Sequence, residues 1–293
     1  MKQAYVFPGQ AAQFEGMGKD LFDSSELAKK MFEAADQIVG FSLSEVMFYG
    51  SAEALKQTNI TQPSVFLHAV IKAKLAGASF QPHMVAGHSL GEFSALVAAD
   101  AMTFEDGLRL VQQRAMAMQA ACEAAEGTMA AVLGLDDEKI EQICADVTDI
   151  VVAANYNCPG QLVISGSVRG VALATEALKA AGAKRVIALQ VGGAFHSPLM
   201  EPARAQLAAA IEATTLRAPR CPIYQNVDAR AETQPEQIKK NLIAQLTAPV
   251  RWTQTMKNMI ADGATHFIEV GGSGKVLLGF VRQLNKEIET ETL

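Results

Sequence analysis

Five residues, Gly87-His88-Ser89-Leu90-Gly91, constrain the fold of this 293-residue chain more than any other stretch. They fit Gly-x-Ser-x-Gly, a turn that lifts a serine hydroxyl from the end of a strand and needs a strand before it and a helix after it. The apolar run Met84-Val85-Ala86 supplies the strand, and the Ala-rich run Glu92 to Ala99 supplies the helix. Gly87 and Gly91 provide the small residues that so sharp a turn requires on either side of the serine. The starting helix also brings unpaired backbone N–H groups to the serine, where they suit a developing oxyanion. Ser89 is therefore a candidate nucleophile for acyl chemistry.

With 49% apolar residues, the chain is expected to bury a large core, as one large domain or two smaller ones. A net charge of −6 and the lack of a basic block argue against nucleic-acid binding. Cys122, Cys144, Cys158 and Cys221 are widely scattered, without metal-site spacing, and read as reduced, mostly buried thiols. No metal is implied. Met1 to Phe7 meets Pro8-Gly9 too soon for a signal peptide. No apolar run approaches the ~18 residues of a membrane span. A cytoplasmic, monomeric enzyme is expected.

Ala4 to Phe7 reads as a buried strand ended by Pro8-Gly9. Ser25 to Val39 has helical spacing, with Leu27, Met31, Phe32, Ala35 and Ile38 on one side. Ser51 caps a short helix. Gln62 to Leu75 is a helix expected to start near Pro63. Thr103 caps a long one to about Cys122, with Asp106 approximating a capping box. From Thr128 the elements run strand, helix, strand, strand, helix, strand, ending near Val191. The middle strands are joined at Asn157-Cys158-Pro159-Gly160. This β-α-β-β-α-β order is the ferredoxin-like pattern. Gly192-Gly193 reads as a linker or hinge. The expected fold is thus α/β, with a large catalytic domain from residues 1–125 and 194–293 and an inserted ferredoxin-like subdomain at 126–193. The acidic end, Glu287 to Leu293, is expected to fray.

Ser89 needs a base, and the chain has five histidines. His68 sits in an apolar helix, His83 precedes a strand and His266 starts one. His88 adjoins the serine, but neighbours on a tight turn point apart. His196 lies in a loop leading into a helix and follows Ser89 in chain order, as the base does in α/β-hydrolases. Capping that helix is its alternative role. No Asp or Glu at a strand end between Ser89 and His196 offers itself as a third member. A backbone carbonyl that accepts the Nδ1–H can orient the imidazole instead. Arg114 stands in a helix that is apolar on most sides, and buried arginines are almost always paired. It is either a fork for a substrate carboxylate or half of an internal salt bridge. Gly271-Gly272-Ser273-Gly274-Lys275 departs from a phosphate loop at Glu269 and at Val276 and reads as a tight turn.

Together these residues resemble the malonyl-coenzyme A:acyl-carrier-protein transacylases. The resemblance runs through Phe7-Pro8-Gly9-Gln10, the serine turn with Glu92, Arg114, and Asn155 to Gln161. It continues through Ala194-Phe195-His196-Ser197, Asn226-Val227-Asp228, Gln245-Leu246, Pro249 to Trp252 and Glu269-Val270-Gly271. It implies a large α/β-hydrolase-like domain with a parallel sheet core and an inserted ferredoxin-like subdomain. It also implies that Ser89 is acylated, that His196 is its base and that the Gln245 carbonyl holds His196. The N–H groups of Gln10 and Leu90 would form the oxyanion hole, and Arg114 would bind the malonyl carboxylate. Phe195 resembles the malonyl-selective members, and Met118 and Asn155 join it as pocket candidates. The four-residue glycine turn is longer than the Gly-Pro-Gly of many relatives.

The implied chemistry is transfer of malonyl from coenzyme A to the phosphopantetheine thiol of acyl carrier protein. The coenzyme A thioester is the substrate, and no cofactor is tightly bound. Docking of an acidic carrier would use a basic patch such as Lys179, Lys184 and Arg185, or Lys239 and Lys240. A serine esterase or thioesterase is the alternative that shares Ser89 and His196.

Overall fold

The core begins with Ala4 to Phe7, buried throughout, as befits a strand flanked on both sides and covered on both faces. In the computed structural model, residues 2–293 are described. Met1, the first residue of the stretch read as too short for a leader, lies outside them. The strands are β1 (Lys2–Phe7), β2 (Met84–Gly87), β3 (Gly127–Leu133), β4 (Val151–Cys158), β5 (Gln161–Ser167), β6 (Arg185–Ala188), β7 (Ile223–Tyr224), β8 (Ala231–Glu232), β9 (Ala264–Glu269) and β10 (Glu289–Thr292).

The larger sheet has the order β10-β9-β1-β2-β7-β8. Its first five strands are parallel, and β8 is antiparallel at the edge. Phe7 pairs with Gly87, so the loops that leave β1 and β2 emerge side by side. Ligands of open parallel sheets bind outside such carboxyl ends. Gln10 and Ser89 lie on these two loops.

The second sheet has the order β4-β5-β3-β6 and is antiparallel throughout. The Asp137–Asp146 and Val168–Ala180 helices bury Ala130, Val132, Ile140, Leu162, Ile164 and Val171 against one face. Alternation sends Met129, Ala131 and Val163 to the other face, toward the large core. The two sheets are stitched together, because Val250 N–H donates to Ala154 O (2.8 Å) and Tyr156 N–H to Val250 O (2.9 Å).

Several sequence expectations need correction. The Glu26–Val39 helix buries Ala28, Met31, Phe32, Ala35 and Val39, while Leu27 is 49% exposed. Leu27 sits about 100° around the helix from Ala28 and misses the buried stripe. The Thr58–Leu75 helix starts five residues before Pro63 and carries that proline inside it. Thr103 accepts from Asp106 N–H, but the Asp106 carboxylate turns to Arg109, so only half of a capping box forms. The acidic C-terminus does not fray: β10 pairs with β9 from Glu289 to Thr292, and Leu293 N–H donates to Glu269 O. Backbone pairing, not side-chain burial, holds this edge. Gly193 also has a packing duty, since a Cβ there would stand 2.1 Å from Cys122 Sγ.

Candidate active site

Two backbone collisions set the serine turn. A Cβ on Gly87 would lie 1.9 Å from the Gly91 carbonyl carbon, and one on Gly91 would lie 2.1 Å from Phe7 O. The β1 loop and the Gly91–Ala98 helix therefore cross at backbone contact. Ser89 takes φ +52, a left-handed conformation that a non-glycine residue keeps only when its surroundings enforce it. Asn226, just beyond β7, provides much of that constraint. Its Oδ1 accepts Ser89 N–H at 2.7 Å, and its Nδ2 donates to Gly87 O at 2.7 Å.

The Ser89 hydroxyl has two partners. His196 Nε2 lies 2.7 Å from Oγ, and Arg114 Nη2 donates to Oγ at 2.9 Å. His196 Nδ1 faces two carbonyl oxygens, Gln245 O at 2.9 Å and Ala248 O at 3.2 Å. Two acceptors there place the imidazole proton on Nδ1 and leave the Nε2 lone pair for Ser89. Because Arg114 can only donate, the serine hydrogen is directed to His196. The imidazole is buried, and its own φ is +57. Burial, and then the Arg114 charge, push its pKa down to about 3, against the pull of the two carbonyls. At neutral pH it is an unprotonated acceptor.

Arg114 projects from the Phe104–Ala124 helix and is 1% exposed. Nη1 donates to Gln62 Oε1 at 2.8 Å, and Nη2 donates to Gln245 Oε1 at 3.1 Å. The guanidinium carbon lies 5.8 Å from the Phe93 ring centroid. Burial lowers its pKa to about 10, which keeps it charged at neutral pH. Its hydrogen bonds go to two amides and the serine, and among the described residues no carboxylate forms a salt bridge with it. The internal salt-bridge alternative is therefore not what the structure contains.

A cavity of ≈ 130 Å³ opens beside this cluster, lined by Gln10, Ala11, Met118, Met129, Asn155 and Phe195 with Ser89 and His196. The three pocket candidates thus meet at one place, and Met129 of the small sheet closes it from above. The Leu90 backbone opens the Gly91–Ala98 helix, while its side chain enters the large core. The other histidines have other partners, although His88 also lines the cavity. His88 bonds Asn157 Oδ1 through Nε2, His83 accepts Gln3 N–H, His68 accepts Gly272 N–H and His266 pairs with Glu291. No group of three or more His, Cys, Asp or Glu able to hold a metal occurs among the described residues.

Three polar residues in this cluster had no role in the sequence reading. Gln62 entered it only as the start of a helix, and Glu92 and Asn226 only as motif residues. Glu92 was open to the reasoning applied to Arg114, since it is a charge at the head of an otherwise apolar helix. Gln62 and Asn226 have no such local signal.

The family model described as acyl transferase domain matches residues 4–293. A malonyl CoA-acyl carrier protein transacylase of Bacillus subtilis (strain 168) is 44% identical over 293 residues, 99% of this chain and 92% of that protein. An acyl carrier protein S-malonyltransferase from Vibrio cholerae O1 superposes with a TM-score of 0.95 at 40% identity, covering 100% of this chain and 97% of that one. A malonyl transacylase solved in complex with a type II PKS acyl carrier protein gives 0.95 at 36% identity, covering 100% and 96%.

Proposed function

The chain belongs to the acyl transferase family, and on that premise we propose that it transfers malonyl from coenzyme A to the phosphopantetheine thiol of an acyl carrier protein. The observation that carries this reading is Arg114. A buried guanidinium that pairs with no carboxylate among the described residues reaches the nucleophile's oxygen at 2.9 Å, where an acyl chain ending in a carboxylate would supply that partner. An arginine–carboxylate bond of roughly 1.5–3 kcal/mol corresponds to about ten- to hundredfold selectivity over acetyl.

Ser89 Oγ attacks the malonyl thioester carbonyl while its proton passes to His196 Nε2. The Gln245 and Ala248 carbonyls stabilise the imidazolium that results. The N–H groups of Gln10 and Leu90 receive the oxyanion. Ser89 N–H is occupied by Asn226 and does not compete for it. Collapse expels the coenzyme A thiol, which takes the proton from His196. The carrier thiol then gives its proton to His196 and attacks the malonyl-serine, and Ser89 leaves with that proton. Lys184 and Arg185, exposed at the start of β6, are basic candidates for docking the carrier, because Leu189 and Val191 just beyond them line the cavity. Four free thiols suit a reducing, cytoplasmic compartment.

Intact-mass measurement after mixing with malonyl-coenzyme A tests the reading. A malonyl adduct, absent in Ser89→Ala and discharged by a carrier thiol, is expected. Rapid release of free malonate regardless of carrier would instead identify a hydrolase.

A further inference from the structure

One buried carboxyl group has no task in this reaction sequence. Glu92 is 0% exposed, in the first turn after the nucleophile. Its Oε1 accepts Asn226 N–H at 2.5 Å, and its Oε2 accepts from Gln245 Nε2. Gln245 Nε2 also donates to Ser89 O at 3.0 Å, while Gln245 Oε1 faces Arg114. The buried carboxyl group and the guanidinium are thus joined through a single amide and do not touch.

Both Glu92 oxygens accept hydrogen bonds here, and a guanidinium only donates them. An amide between them satisfies both in one orientation, with oxygen toward arginine and nitrogen toward glutamate. Gln245 Oε1 takes one hydrogen of Arg114 Nη2, and Ser89 Oγ takes the other.

We propose that Glu92 is a positioning residue for Arg114: it locks the Gln245 amide with its oxygen on the guanidinium and so aims Arg114 at Ser89 Oγ and at the acyl carboxylate. Glu92 acts in this way on the premise that the acyl group is malonyl. In Glu92→Gln, the new amide oxygen still takes Asn226 N–H, so its NH₂ faces Gln245. The Gln245 amide must then turn and present its own NH₂ to Arg114.

The test is kcat/KM for malonyl- and acetyl-coenzyme A in wild type, Glu92→Gln and Glu92→Asp, with thermal unfolding as a check on folding. Glu92→Gln is expected to lower the malonyl:acetyl ratio about tenfold, mainly by raising KM for malonyl. Glu92→Asp, which still only accepts, should retain more of the ratio. An unchanged ratio in folded Glu92→Gln overturns the proposal. If that variant does not fold, Gln245→Met carries the test, since it keeps the backbone carbonyl behind His196 but cuts the link. Here too a fall in the ratio is expected, and an unmoved ratio overturns the proposal. A wild-type chain that takes no malonyl onto Ser89 overturns the malonyl premise itself, a different result from a malonylated wild type whose variants keep their ratio.

Discussion

Arg114 Nη2 stands 2.9 Å from Ser89 Oγ, so the guanidinium is a hydrogen-bond donor to the nucleophile before any substrate arrives. The same group would then release the serine and take the malonyl carboxylate. Its removal should therefore be felt with every donor, but unequally.

Arg114→Ala is expected to slow acetyl transfer several-fold, through loss of the contact with Oγ. Malonyl transfer should fall a further ten- to hundredfold, about 1.5–3 kcal/mol. Steady-state kcat/KM for the two thioesters measures the difference. Equal losses would contradict the carboxylate role.

His196 sits far below the ordinary histidine range, at about 3, because it is buried beside Arg114. Single-turnover acylation should therefore show no limb near pH 6.5. A malonyl carboxylate on Arg114 offsets the second-largest cause and moves the acid limb upward from 3 in the bound complex. Rapid-quench acylation from pH 5 to 8 checks this, and a half-maximal point at about 6.5 would refute it.

His68 is buried and pushed down to about 4, chiefly by desolvation. Its folded pKa lies below the unfolded value, so the unfolded chain binds the proton first as pH falls. Stability held above pH 6.5 is then lost down to about pH 4, by up to ~3 kcal/mol. Glu92, raised to about 8 by burial, acts in the opposite sense between about 4.5 and 8, so the histidine must be isolated by substitution. His68→Gln retains an acceptor for Gly272 N–H and should lose less stability than wild type between pH 6.5 and 4. Urea unfolding of both proteins at several pH values gives the comparison, and parallel pH slopes would exclude His68 as the cause.

Asn226→Ala would leave Ser89 N–H and Gly87 O without side-chain partners inside the protein. A cost of roughly 2–4 kcal/mol is expected from two unmet groups, together with slower acylation as Ser89 relaxes from its left-handed backbone. Urea unfolding and stopped-flow acylation read the two effects separately. Unchanged stability would mean that the serine turn does not depend on Asn226.

The local elements of this chain were largely legible because their signals are local. Gly87 to Gly91 specifies its own strand and helix, Ser51 and Thr103 cap the helices they precede, and the Asn157-Cys158-Pro159-Gly160 turn joins the middle strands of the small sheet. The misreadings arose where partners decide. Leu27 is apolar but off the buried stripe, and Glu289 to Thr292 looks like a solvated tail until β9 pairs with it. In the candidate site, Ser89, His196 and Arg114 stood out by motif and by anomalous surroundings. The amide network did not, since Gln245 meets Glu92 across 153 residues and Asn226 meets Ser89 across 137. Neutral amides carry no unusual cost that would mark them in a sequence.

The strap from Gln245 to Trp252 has a mechanical consequence. One end presents the carbonyls that hold His196, and Val250 is bonded into β4 of the small sheet that roofs the cavity. Any displacement of that roof would pull on the segment that aims the imidazole, so the position of the roof and the basicity of His196 are mechanically tied. Thr253, whose hydroxyl donates to Tyr156 O beside that strap, should thus betray itself on conversion to valine by a lower kcat, although it lies outside the cavity lining. A change confined to KM would show that the roof moves without disturbing the base.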